Sequence, residues 1–166
     1  MRSDNVTTLH GASFLVSDKQ GDVEATPDAP AGLFHADMRH LSRWTLLVDG
    51  RTPLGISCDE QAPFASRFWL VPDGFRQNRP APVSIVRSRV VSLHERLTLH
   101  NHSARPRTLT IELRAEADFA DLFDVKYTMA KKGRAYRRAD GDTLILGYQR
   151  EDFVRETAIS ANRPAE

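Results

Sequence analysis

Residues 109–117 alternate without a break. Leu109, Ile111, Leu113, Ala115 and Ala117 fall on one parity, and Thr110, Glu112, Arg114 and Glu116 on the other. Successive side chains of an extended strand point to opposite faces, so this pattern describes an antiparallel strand with one apolar and one wet face. The three large apolar residues are each worth about 1.5–3 kcal/mol on burial, together comparable with the net stability of a whole domain, about 5–15 kcal/mol. A one-residue slip turns all of them to water, so the strand is expected to be firmly placed and Leu113→Asp to abolish folding. Residues 93–101 repeat the pattern, with Leu93, Leu97 and Leu99 on one face and His94, Arg96, Thr98 and His100 on the other.

The rest of the chain reads as shorter strands between turn signals. Residues 13–17, 45–48, 64–71, 83–91, 143–148 and 153–160 are strand segments, 23–24 begin a return after the turn at 18–22, and 52–57 can pair back across Asp49-Gly50. Asp-Gly favours a tight hairpin because both central residues need positive φ. Asp140-Gly141-Asp142 marks another turn, and residues 25–31, with Pro27, Asp28 and Pro30, form a loop, as do 75–82. In 83–91, Arg87 and Arg89 interrupt one face while Val86 and Val90 lie on the other, the mark of a central or covered strand. Residues 118–123 are the one helical fragment, with Asp118 as N-cap, Asp121 in the first turn, and Phe119, Leu122 and Phe123 spaced to plug one end of the core. Many short strands and almost no helix predict an all-β chain: an antiparallel β-sandwich, one domain over 1–166. Residues 1–12 are expected to be flexible and 161–166 to be a linker or chain end.

Charge excludes some functions. With 23 basic and 22 acidic side chains the net charge is +1, so no strong field draws the chain to nucleic acid or a membrane. One cysteine, Cys58, rules out an internal disulfide and favours a reducing compartment. No apolar run follows Met1-Arg2-Ser3-Asp4-Asn5, and no window approaches the roughly 20 apolar residues of a membrane helix. A cytoplasmic protein is expected.

Two blocks carry more. Residues 32–44 (GLFHADMRHLSRW) hold Asp37 and Arg39 two apart, on one face if extended, beside four large apolar residues. Residues 117–126 read ADFADLFDVK. In this order the blocks resemble the GLF-x-x-D-x-R-x-L-S-R signature and the DFADLF-(E/D)-V-(R/K) block of bacterial amylo-α-1,6-glucosidase-type, glycogen-debranching-like proteins. Met38 and His40 depart from that pattern, which has Thr and an aromatic there. The resemblance covers most of the chain. It implies a β-sandwich, supersandwich-like, ahead of a separate helical (α/α)6 toroid that performs the hydrolysis. It also implies that this domain packs on that toroid and helps to shape the cleft for an α-glucan. Asp37, Arg39, Asp118, Asp121 and Asp124 are the candidates for the interdomain surface, and an exposed apolar patch is expected where the catalytic domain docks.

Other constellations have plainer readings. Asp121 and Asp124 fall three apart, close enough for glycosidase-like carboxylates, but first-turn acids ordinarily bond to backbone amides. His100 and His102 are spaced to chelate a metal, yet His94 lies too far along the strand and no cysteine is near in sequence, so exposed polar histidines are expected. Trp44, Trp69 and Tyr136 are candidates for sugar stacking, against core or interface roles. Lys131, Lys132, Arg134, Arg137 and Arg138 make a basic, irregular stretch that reads as a solvated loop. Cys58 has no adjacent cation, and there is no phosphate loop or nucleophile elbow. No catalytic residue, cofactor or metal is therefore assigned. Three functions remain in view: an accessory domain of a glycosidase, an independent carbohydrate-binding module, and a structural sandwich that dimerises through an exposed face.

Overall fold

The computed structural model of the protein describes residues 5–27, 29–74, 80–91, 94–127, 129 and 131–162. The elements run β1 (Val6–His10), β2 (Ser13–Ser17), β3 (Val23–Glu24), β4 (Gly32–His35), β5 (Met38–Leu41), β6 (Arg43–Val48), β7 (Leu54–Ala62), β8 (Ala65–Val71), β9 (Val83–Val90), β10 (His94–Asn101), β11 (Ile111–Glu116), α1 (Leu122–Tyr127), β12 (Arg134–Asp140), β13 (Thr143–Arg150) and β14 (Phe153–Ser160). Every strand pairing is antiparallel, in four sheets ordered β1-β2-β4-β5, β10-β9-β8-β7, β11-β6-β3 and β12-β13-β14. The all-β sandwich with one short helix is the observed architecture. Among the described residues no helix is long and apolar enough to cross a membrane.

Two apolar clusters fill the interior. Leu46 and Val48 of β6 meet Phe68 and Leu70 of β8 and Ile85 of β9, with Val6 alongside. Leu15, Leu33 and Leu41 of the first sheet pack with Val23, Val91 and Leu146. Both clusters follow from period-two strands that turn alternate residues inward.

Several expectations are corrected. Val6–His10 lies in the stretch read as flexible, but it is a strand paired with β2. Val23–Glu24 pairs with β6 and does not return along β2, whose partners are β1 and β4. The Asp49-Gly50 turn forms, with φ of 51° and 75°, but only the Val48–Arg51 bridge closes it. Beyond Pro53 the chain crosses to the other sheet, and β7 pairs with β8. The basic stretch is not a loop: from Arg134 on it is β12, in a hairpin closed at Asp140 and Thr143. β9 is central, as expected, and its arginines face inward.

The largest correction concerns the clean alternation of β11. Leu113 pairs with Leu46 and shares its inward face, but β11 is an edge strand, so Leu113 stays 40% exposed and Ile111 36%. Leu99 on β10, the edge strand of the other sheet, is also exposed. Alternation identifies the inward face, but an edge position leaves that face half covered. Leu113 is thus not a buried keystone, and Leu113→Asp does not remove a core residue. Asp28, residues 75–79 of the long connection, Leu93 and residues 163–166 fall outside the described residues.

Candidate functional site

The two signature blocks meet in space. Ala36 and Asp37 take φ of 45° and 64° and make the tight turn that folds β4 onto β5. Asp37 therefore sits in a turn and does not share an extended face with Arg39. From that turn the Asp37 carbonyl accepts the Leu122 N–H at 3.2 Å, and the Arg39 N–H donates to the Ala120 carbonyl at 2.8 Å. The buried Arg39 side chain completes the joint. Its Nε donates to both Asp118 oxygens at 3.0 and 3.1 Å, its Nη2 to Oδ2 at 2.5 Å and its Nη1 to the Ala31 carbonyl at 3.3 Å. Asp118 is thus the partner of Arg39 and not the helix cap.

Phe119 follows with φ of 51°, unusual for a bulky residue, and is fully buried. Its ring packs edge-on against His40 at 5.6 Å and lies 6.3 Å from Tyr148. The cap of α1 is Asp121. Its Oδ1 accepts the Phe123 and Asp124 N–H groups at 2.8 Å each, and Asp124 Oδ2 accepts the Asp121 N–H at 3.1 Å, a capping box with aspartate at the third position. Lys131 Nζ then pairs with Asp124 at 2.5 Å. Burial acts to raise the Asp124 pKa, but the bonds from Lys131 and the Asp121 amide outweigh it and hold it below the ordinary value. Only Phe119 of the expected apolar trio plugs the core; Leu122 and Phe123 are 41% and 67% exposed.

Beside this joint lies an open cleft of about 660 Å³ whose walls include Glu24, Arg43, Glu116, Asp118, Lys131 and Tyr148. Arg43 bridges Glu116 at 2.5 Å and Glu24 at 3.2 Å, so the charges on its walls are largely paired. Asp121 and Asp124, engaged with amides and Lys131, are occupied as structural groups.

A family model described as the N-terminal domain of some glycogen debranching enzymes matches residues 9–166. The chain belongs to that family. No curated protein and no solved structure matches it.

The remaining candidates of this debranching-enzyme N-terminal domain are scattered. Trp44 points inward, packs on the core and donates its indole N–H to Glu95 at 3.0 Å. Trp69 lies on the opposite face of β8 from Phe68 and Leu70, with Arg67 stacked over it at 5.8 Å. Tyr136 lies across Gly147 and donates to Glu156 at 2.7 Å. His100 and His102 stack at 6.3 Å and His102 bonds Ser84, but among the described residues no three His, Cys, Asp or Glu side chains converge as a metal site.

Sequence reasoning missed a buried charge network. Arg87 pairs with Asp22 at 2.6 Å and approaches Glu95 at 3.0 Å, while Arg89 pairs with Glu95 at 2.6 Å and donates to the Gly21 carbonyl. Asp22 also accepts the Leu46 N–H at 3.0 Å, so the network joins both sheets and β3's lead-in. Burial raises the Asp22 carboxyl despite Arg87, whereas at Glu95 the two arginines overcome burial and lower it. The available signal was parity: Arg87, Arg89 and Glu95 occupy positions that alternation assigns to the inward face.

His40 fills a slot that the resemblance reserves for an aromatic. Burial, then the neighbouring His35 and Arg155 charges, lower its pKa from 6.5. The unfolded chain therefore binds the proton more readily, and the stabilisation from neutral His40 is present above pH 6.5 and lost as pH falls through the folded value. His40→Phe is expected to flatten that limb of the stability profile, as read by thermal melts across the range; an unchanged slope rejects the assignment.

Proposed function

We propose that this chain is the non-catalytic N-terminal β-sandwich of a glycogen-debranching-type glycoside hydrolase, and that it packs on, and helps to shape the substrate cleft of, a downstream (α/α)6 catalytic domain in the cytoplasm. The observation that carries the reading is α1. It buries none of its side chains, and around it Leu122, Phe123, Tyr127 and Met129 are 41%, 67%, 60% and 53% exposed. A helix that adds so little to its own core, yet is fastened by a capping box and by the Arg39–Asp118 joint, presents an apolar patch of the kind that a second surface covers. In this reading Asp37, Arg39, Asp118, Asp121 and Asp124 position the patch and perform no chemistry, and the α-glucan is held mainly by the partner domain.

The test is Phe123→Asp in the parent chain. Debranching of an α-1,6-branched limit dextrin is expected to fall by about tenfold or more, the loss typical of an interface anchor, while the melting temperature of residues 1–166 alone stays put. Undiminished activity would reject the docking role. Saturable binding of maltooligosaccharides by the isolated chain, abolished by Trp69→Ala, would replace it with an independent carbohydrate-binding module.

A further inference from the structure

We infer that β11 is a self-complementary edge through which two copies of this chain join into one continuous sheet. β11 is terminal in the order β11-β6-β3. The Asp49 N–H donates to the Thr110 carbonyl, so Thr110 and, by alternation, Glu112, Arg114 and Glu116 turn their backbone groups toward β6. Ile111, Leu113 and Ala115 turn theirs to the open edge.

Laid antiparallel on a second copy with Leu113 opposite Leu113, the strand matches itself in three ways. First, Ile111 falls opposite Ala115, so the outward N–H and C=O groups of all three residues meet outward groups of the second copy and bond in pairs. Second, Glu112 falls opposite Arg114, twice by symmetry, on the wet face where these side chains are 45% and 58% exposed. Third, the inward-facing Leu113 and Ile111, left 40% and 36% exposed by the edge, cover one another across the two-fold axis. Sliding the pairing by two residues sets Glu112 against Glu112 or Arg114 against Arg114, so charge selects the register. The resulting sheet runs β3-β6-β11-β11-β6-β3, a closed two-fold arrangement that removes the exposed edge.

The experiment is sedimentation velocity over a concentration series, with amide hydrogen exchange on the same samples. The unmodified chain is expected to show a monomer–dimer equilibrium in which the Ile111, Leu113 and Ala115 amides become protected as the dimer forms. Glu112→Arg alone and Arg114→Glu alone are each expected to weaken the dimer by about tenfold or more, and the Glu112→Arg/Arg114→Glu double variant to restore it. Circular dichroism and melting curves confirm that the variants fold, since both side chains lie on the wet face. A monomer at every concentration overturns the inference, as does failure of the double variant to recover. Protection of the three amides in a monomer also overturns it, because a strand of the same chain then closes the edge.

Discussion

Glu95→Leu is expected to lower the unfolding free energy by about 3–5 kcal/mol, the cost of leaving buried charge without its partner. Arg87 and Arg89 are both buried, and Glu95 approaches both of them as well as Trp44. Without Glu95, Arg87 keeps Asp22, whose carboxyl burial already raises, and Arg89 keeps only the Gly21 carbonyl. Against a total of about 5–15 kcal/mol, the variant is expected to unfold at a much lower urea concentration. The acid limb should change with it. The folded pKa of Glu95 lies below its ordinary value of 4.5, so its stabilisation is present above that pH and lost as pH falls through the folded value. Asp22, raised from 3.8, contributes with the opposite sign. Glu95→Leu should therefore flatten acid destabilisation below pH 4.5 and leave the profile between there and neutrality unchanged in slope. Adding Arg87→Met, Arg89→Met and Asp22→Asn, which leaves no charge buried alone and keeps an acceptor for the Leu46 N–H, is expected to recover most of the loss, because a buried ion cluster replaced as a whole by neutral groups of similar volume is often neutral or better. A single variant as stable as the parent would mean that the network is solvated in solution.

Asp118→Ala is expected to cost about 2–3 kcal/mol, below the fully buried case because Asp118 is partly solvated while Arg39 is not. Arg39→Lys should lose a similar amount, since an ammonium cannot reproduce the forked contact on both carboxylate oxygens. Gly32→Ala reaches the same end from the other side. Gly32 has φ of 157°, and a Cβ there would stand 2.5 Å from Arg39 Cδ and 2.9 Å from Phe34 Cε2, driving the guanidinium off Asp118. In all three variants the Leu122 amide, which bonds the Asp37 carbonyl, should exchange faster with solvent. Urea melts and hydrogen exchange read both effects together. Stability lost with the Leu122 amide still protected would separate α1 from the joint.

The resemblance rested on two blocks of sequence, and their adjacency has a simple cause. The hairpin turn at Ala36-Asp37 points a carbonyl, an amide and the Arg39 side chain at residues 118–122. Nothing local to either block announces this, because Arg39 and Asp118 lie on separate strands of chain joined only by folding. The helix was legible but displaced. Asp118 and Asp121 are both acceptable N-caps by residue type, and the choice fell to Asp121 once Arg39 had engaged Asp118. Arg87 and Arg89 looked like interruptions of an apolar face, and parity did place them inward. That they would be matched there by Glu95 and Asp22 depended on which strands became neighbours.

The sequence by itself determined strands such as β2, β6, β8, β9, β11, β13 and β14, their inward parity and the turns at Asp49-Gly50 and Asp140-Gly141, but not β1 or β12, because pleat alternation and positive-φ turn chemistry act over a few neighbouring residues. The tertiary structure alone decided that β3 and β11 flank β6, that β7 crosses to the other sheet, and that Leu113 and Phe123 remain at the surface. A face can be marked inward by its own residues, but whether anything covers it depends on partners brought from distant parts of the chain.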